Sequence, residues 1–138
     1  MYKILKHFII KEFVPPEIWN IEGEQSILHL DEKIIITIEQ IREFFNRPIT
    51  INDWCYGGKF KYRGFRPESC NVGATHSMHR IGKALDFDVQ GIVAENVRKE
   101  IVKNSFRFPF LKRMEKNVNW VHIDIKETKR KGIYLFKG

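Results

Sequence analysis

An α+β fold, with a mainly antiparallel sheet and flanking helices, is what this sequence predicts, on three observations. One long stretch carries its apolar residues at helical spacing, several short stretches alternate apolar and polar, and the two kinds do not interleave strictly as parallel βαβ units would. At 138 residues the chain is expected to form one domain, 1–138, large enough to bury a core without staples. No repeat, low-complexity block or Gly/Ser linker divides it.

The clearest helix is expected over 32–45. Asp31 offers an N-cap oxygen, Ile34, Ile38, Ile41 and Phe45 recur at spacings of four and three, and Asn46 with Pro48 ends the run. Residues 49–54 alternate and read as a strand. A second helix is expected over 92–103, with Val93, Val97 and Ile101 on one stripe and Asn104 closing it. Two further strands carry most of the chemistry. In 83–89, Leu85, Phe87 and Val89 point one way and Ala84, Asp86 and Asp88 the other, because side chains alternate across a strand. In 118–125, Val121, Ile123 and Ile125 face the core and leave Trp120, His122 and Asp124 together opposite. A short last strand is expected over 133–136.

His79, Asp86 and His122 are the candidate metal ligands. His79 and Asp86 stand seven positions apart across a bend at Gly82, which allows the backbone to turn tightly, and Ala84 leaves room beside Asp86 on the same face. Two histidines and a carboxylate suit a catalytic Zn2+, holding it through three protein groups and leaving a fourth position for water. Asp88 and Asp124, each two residues from a ligand on its own face, are placed to orient a ligand imidazole. Taken singly, each would pass for an ordinary histidine or surface carboxylate. The joint pattern of spacing, small residues and alternation points to a site.

Composition narrows the partners. Lys and Arg number 24 against 17 Asp and Glu, a net charge of +7, with a pI near 9.5. That balance fits an anionic partner: nucleic acid, an anionic polymer, or a bacterial wall rich in carboxylates and phosphates. The basic run 126–131 is broken by Glu127 and Thr128 and reads as a solvated turn. No basic motif interleaved with aromatics appears, so specific nucleic-acid binding is not expected. No apolar stretch is long enough to cross a membrane. Residues 1–11 carry positive charge but only a broken apolar run, shorter than a signal-peptide core. Cytoplasmic synthesis is expected, with release or transport by another system for any target outside. Cys55 and Cys70, far from the histidine-rich segments, are expected to be reduced.

The pattern Ser77, His79, Gly82, Ala84, Asp86, Phe87, followed by Trp120, His122 and Asp124, resembles the zinc peptidases of the D-Ala-D-Ala carboxypeptidase and dipeptidase family. That family includes phage L-alanyl-D-glutamate endopeptidase endolysins and shares the hedgehog/DD-peptidase fold. Gly64, Phe65, Arg66 and Pro67 resemble its Gly-aromatic-Arg-Pro segment. The resemblance spans about 49–125 by motif. A weaker likeness to phage and prophage members covers 13–17 and 51–54. It implies that His79, Asp86 and His122 hold zinc, and that Arg66 stabilises the substrate carbonyl as charge develops, with Arg63 in reserve. The implied activity is cleavage of peptidoglycan peptide stems, of endolysin or carboxypeptidase type, and the implied partner is that peptide.

One position departs from the family pattern. Many members carry a glutamate three residues before the last histidine as general base, and here that residue is Asn119. Asp124, on the His122 face, is the first substitute and Glu115 the second. Trp120 is a candidate wall for a bound peptide or sugar, and His76 a residue of the turn. Two other functions compete: a non-catalytic zinc module that binds wall material or belongs to a phage assembly, motivated by Asn119, and a nucleic-acid binder, motivated by charge alone. Sequence leaves the oligomeric state open.

Overall fold

The computed structural model describes residues 5–74 and 76–138; the first four residues of the broken apolar run at 1–11 lie outside them. Its architecture is α+β. Helix α1 (Pro16–Glu22) follows a short 3-10 turn and starts at consecutive prolines, whose fixed φ suits a first helical turn. Helix α2 (Glu32–Phe45) has the expected bounds. Asp31 accepts a hydrogen bond from the Lys33 N–H at 2.8 Å, and Asn46, in the left-handed region at φ 50°, closes the other end.

Five strands form one sheet in the order β1-β2-β4-β3-β5. They are β1 (Ile49–Thr50), β2 (Ala84–Val89), β3 (Arg113–Lys116), β4 (Val121–Asp124) and β5 (Tyr134–Lys137). Every pairing is antiparallel except β3 with β5. Helix α3 (Ala94–Lys103) begins two residues later than the periodicity suggests. The expected strand over 49–54 is cut to two residues for an identifiable reason. Asn52 turns away from the sheet: its N–H reaches the Glu12 carbonyl, its side chain donates to the Val14 carbonyl and accepts from the Arg63 N–H.

The sheet separates the core from the chemistry. Leu85, Phe87, Val121, Ile123 and Met114 are fully buried on one face, with Ile34, Ile38 and Ile41 of α2 and Val97 and Ile101 of α3. The opposite face carries the polar residues of β2, β4 and β3. Arg98 of α3 is 4% exposed and donates to the carbonyls of Val118 and Trp120 at 2.9 and 2.8 Å. This clasp fixes the β3–β4 connection and with it the place of Trp120. Cys55 and Cys70 are unpaired. Among the described residues no helix is long and apolar enough to cross a membrane.

Candidate metal centre

His79 lies in a 3-10 turn (Met78–Ile81) whose N-cap, Ser77, accepts from the His79 N–H. Gly82 ends the turn at φ 70°, with its Cα against the His29 carbonyl and its own carbonyl bonded to the Asp31 N–H at 2.9 Å. A side chain would fit neither that φ nor that contact. The Gly-aromatic-Arg-Pro segment supports the same histidine from the other side. Gly64 packs on the Phe13 backbone so closely that a Cβ would collide, and its carbonyl accepts from His79 Nδ1 at 2.9 Å. Phe65 stacks on His29 at 4.3 Å between centroids, and the Arg66 N–H bonds the His79 carbonyl.

With Nδ1–H committed to Gly64, the His79 Nε2 lone pair points the other way. That atom is buried without a hydrogen-bond partner, 3.2 Å from Asp86 Oδ1. Two electron-rich atoms so placed call for a cation between them, a proton in the metal-free protein or a metal ion in its place. Asp86 is the direct cross-strand partner of His122, and His122 Nδ1 lies 2.8 Å from the same Oδ1. Ligand atoms of His79, Asp86 and His122 all fall within 4.8 Å of one another, and all three residues are buried. The donor set of two imidazoles and one carboxylate fits zinc.

The surroundings set the charges. Burial opposes the Asp86 charge, but His79 and His122 outweigh it and hold the carboxyl below its ordinary range. Burial likewise opposes an imidazolium at His122. Asp124 and Asp86 overcome it and push the pKa up to about 9. His122 Nε2–H donates to Asp124 Oδ2 at 2.8 Å, the carboxylate contact that orients a metal-binding imidazole.

Asp124 itself is fully buried. Arg113 grips both its oxygens, at 2.8 to 3.1 Å, and the Lys126 N–H adds a further bond to Oδ1. The expectation that Asp124 replaces the family base meets this obstacle: its lone pairs are taken and it has no exposure to the cleft. Arg66 sends Nε to the Tyr62 carbonyl at 2.7 Å and Nη2 to Asp86 Oδ2 at 3.2 Å, so it stands beside the candidate ligands. Burial lowers its pKa. Arg63 goes elsewhere, to Asp88 Oδ2 at 2.9 Å with its guanidinium over the Phe60 ring. Asp88 therefore faces Arg63 and does not reach a ligand imidazole.

His79, Asp86, His122, Arg66 and Arg113 line a cleft of about 530 Å3, which also receives Trp120, His76 and Glu115. Asn119 opens into a different groove, shared with Asp88 and the start of α3. Phe136 was missed by sequence reasoning. β5 brings its ring edge-on to His122 at 5.5 Å and under the Arg113 guanidinium at 4.0 Å. Only a parallel β3–β5 pairing delivers it there, and no short-range pattern signals that pairing.

A buried His-Asp-His set at an open cleft, on the face of an α+β sheet turned away from its helices, describes a candidate metallohydrolase site. A sequence model of the Peptidase M15 family matches residues 11–124, and the chain belongs to that family. This is the family of zinc D-Ala-D-Ala carboxypeptidases that the motifs resemble, whose members act on peptidoglycan-type substrates. Comparison with curated proteins and with solved structures gives no match.

Proposed function

We propose that this chain is a zinc-dependent peptidase that hydrolyses the peptide stems of bacterial peptidoglycan, with 1–138 acting as one catalytic domain. The observation that carries the reading is the buried, unpartnered His79 Nε2 facing Asp86 Oδ1. His79, Asp86 and His122 would hold the metal. When bound, zinc supplies Lewis-acid polarisation and lowers the pKa of its water to about 7. Arg66, charged and anchored by the Tyr62 carbonyl, aims at the carbonyl oxygen of the scissile bond, where negative charge develops. Asp124, held by Arg113, keeps His122 in the tautomer and orientation a ligand needs. Trp120 and Phe136 wall the cleft. The chain reaches the wall after release or transport by another system.

The test pairs metal content with wall digestion. Purified protein should carry stoichiometric zinc and release new termini from purified peptidoglycan. New amino termini within the stem mark the endolysin type, and free D-alanine marks the carboxypeptidase type. His122→Ala should lose both metal and turnover. Stoichiometric zinc with no cleavage across several wall chemistries would overturn the reading in favour of a non-catalytic wall-binding module.

A further inference from the structure

The family's usual base position is empty of a carboxylate here, and its replacement can be sought among the acidic side chains that face the candidate ligands. Asp86 is a ligand in the proposed reading. Asp124 is saturated by Arg113, His122 and the Lys126 N–H. Asp88 is paired with Arg63. Asn119 opens into another groove. Glu115 is left.

Four observations favour Glu115. It stands on β3, two residues after Arg113 and so on the same face. The antiparallel alignment pairs Arg113 with Asp124 and Met114 with Ile123, and on the other side of β3 Glu115 is aligned with Phe136 of β5, whose ring meets His122 edge-on. Asp86 and His122 face one another across β2 and β4, and Glu115, on the next strand, lines the same cleft. Glu115 is half-buried in the wall of the cleft, close enough to Arg66 for its charge to favour the guanidinium. Its Oε2 packs against Gly138, which also lines the cleft, and among the described residues no hydrogen bond or ion pair holds the carboxylate.

We infer that Glu115 is the general base and acid of this peptidase, acting from β3 in place of the residue three before His122. This rests on the reading of the chain as a zinc peptidase. A Glu115 oxygen takes a proton from the attacking water as the water oxygen bonds to the scissile carbonyl carbon, whose displaced electron pair moves onto the carbonyl oxygen beside Arg66. As that pair returns and the carbon–nitrogen bond breaks, Glu115 gives the proton to the leaving amine. Base and acid are the same carboxyl group, and it ends the cycle as it began.

The test compares Glu115→Gln and Glu115→Asp with the unaltered zinc-loaded protein. Glu115→Gln should keep stoichiometric zinc and lose about a hundredfold to ten-thousandfold in kcat with KM within about threefold, the loss expected of a missing base. Glu115→Asp should recover part of that loss. A readout independent of turnover is the binding of a dipeptide hydroxamate, which sheds a proton as it chelates the metal. Calorimetry in buffers of different ionisation enthalpy should find that proton retained by the unaltered protein and released to buffer by Glu115→Gln. Wild-type kcat and unchanged proton release in Glu115→Gln would overturn the inference and leave the zinc-peptidase reading standing. Loss of zinc from Glu115→Gln would also overturn it, assigning Glu115 to metal binding. Failure of the unaltered zinc-loaded protein to cleave any wall peptide would overturn the reading beneath it.

Discussion

His122 holds two protons in the metal-free protein, one toward Asp86 and one toward Asp124, and its pKa rises from the ordinary 6.5 to about 9. A raised folded-state pKa contributes stability that is fully present below the unfolded value and is lost as pH climbs through the folded one. The metal-free protein should therefore weaken between about pH 6.5 and 9. Zinc binding as proposed would run the other way, because the metal would have to displace the Nδ1 proton; its affinity should rise about tenfold per pH unit up to that pKa and then level off. Thermal melts with chelator and with zinc at pH 7, 8 and 9 should show a widening gap. A constant gap would mean that His122 is not a ligand through Nδ1. The three candidate ligands were legible from spacing and alternation because both are local properties. Glu115 ranked low in the same reading because Arg113, Glu115 and Lys116 leave Met114 as the one apolar residue of β3, too few to mark a strand or its faces.

At the scale of elements, the turn that carries His79 is held by a glycine no other residue replaces well. Alanine at position 82 would be strained at φ 70° and would press on the His29 carbonyl and the Leu30 Cα. Gly82→Ala should cost more than about 1 kcal/mol and lower zinc affinity, since the turn must swing away from residues 29–31. Gly132 makes a matched control. It has φ 72° with open space where a Cβ would sit, so Gly132→Ala carries the backbone strain but should leave zinc affinity unchanged. Chelator competition on both variants decides the matter; equal affinities would show that the turn does not position His79. Helix α2 was legible to the residue because cap, stripe and terminator all agree. Helix α1 was not anticipated: Ile18 and Trp19 sit on a seven-residue helix of about two turns, too short for periodicity to register.

Across the whole molecule, what sequence could not supply was the pairing of segments far apart. The alternation of β2 and β4 predicted two polar faces of the right kind, and the sheet sets them edge to edge. Loop lengths and turn residues near β5 contain nothing that selects a parallel partner, so the origin of the Phe136 contact became visible only in three dimensions. The charge balance had the opposite limitation. It is a property of the entire surface, and it left wall polymer and nucleic acid equally open until the cleft and family were in view.

Asp86 and His122 face one another directly across β2 and β4, and this makes the metal a gauge of correct assembly. Slipping those strands by one residue would turn His122 toward the helices and bring Val121 or Ile123 out to the cleft, because side chains alternate with a period of two. A slipped sheet would lack the third proposed ligand, so a zinc ion held as proposed would bind and favour only the aligned one. Refolding from denaturant with chelator present should consequently give more soluble aggregate and a lower recovered yield than refolding with zinc. Chelator added after folding should not reproduce that loss. Equal yields in the two refolding reactions would show that the strands find their alignment without the metal.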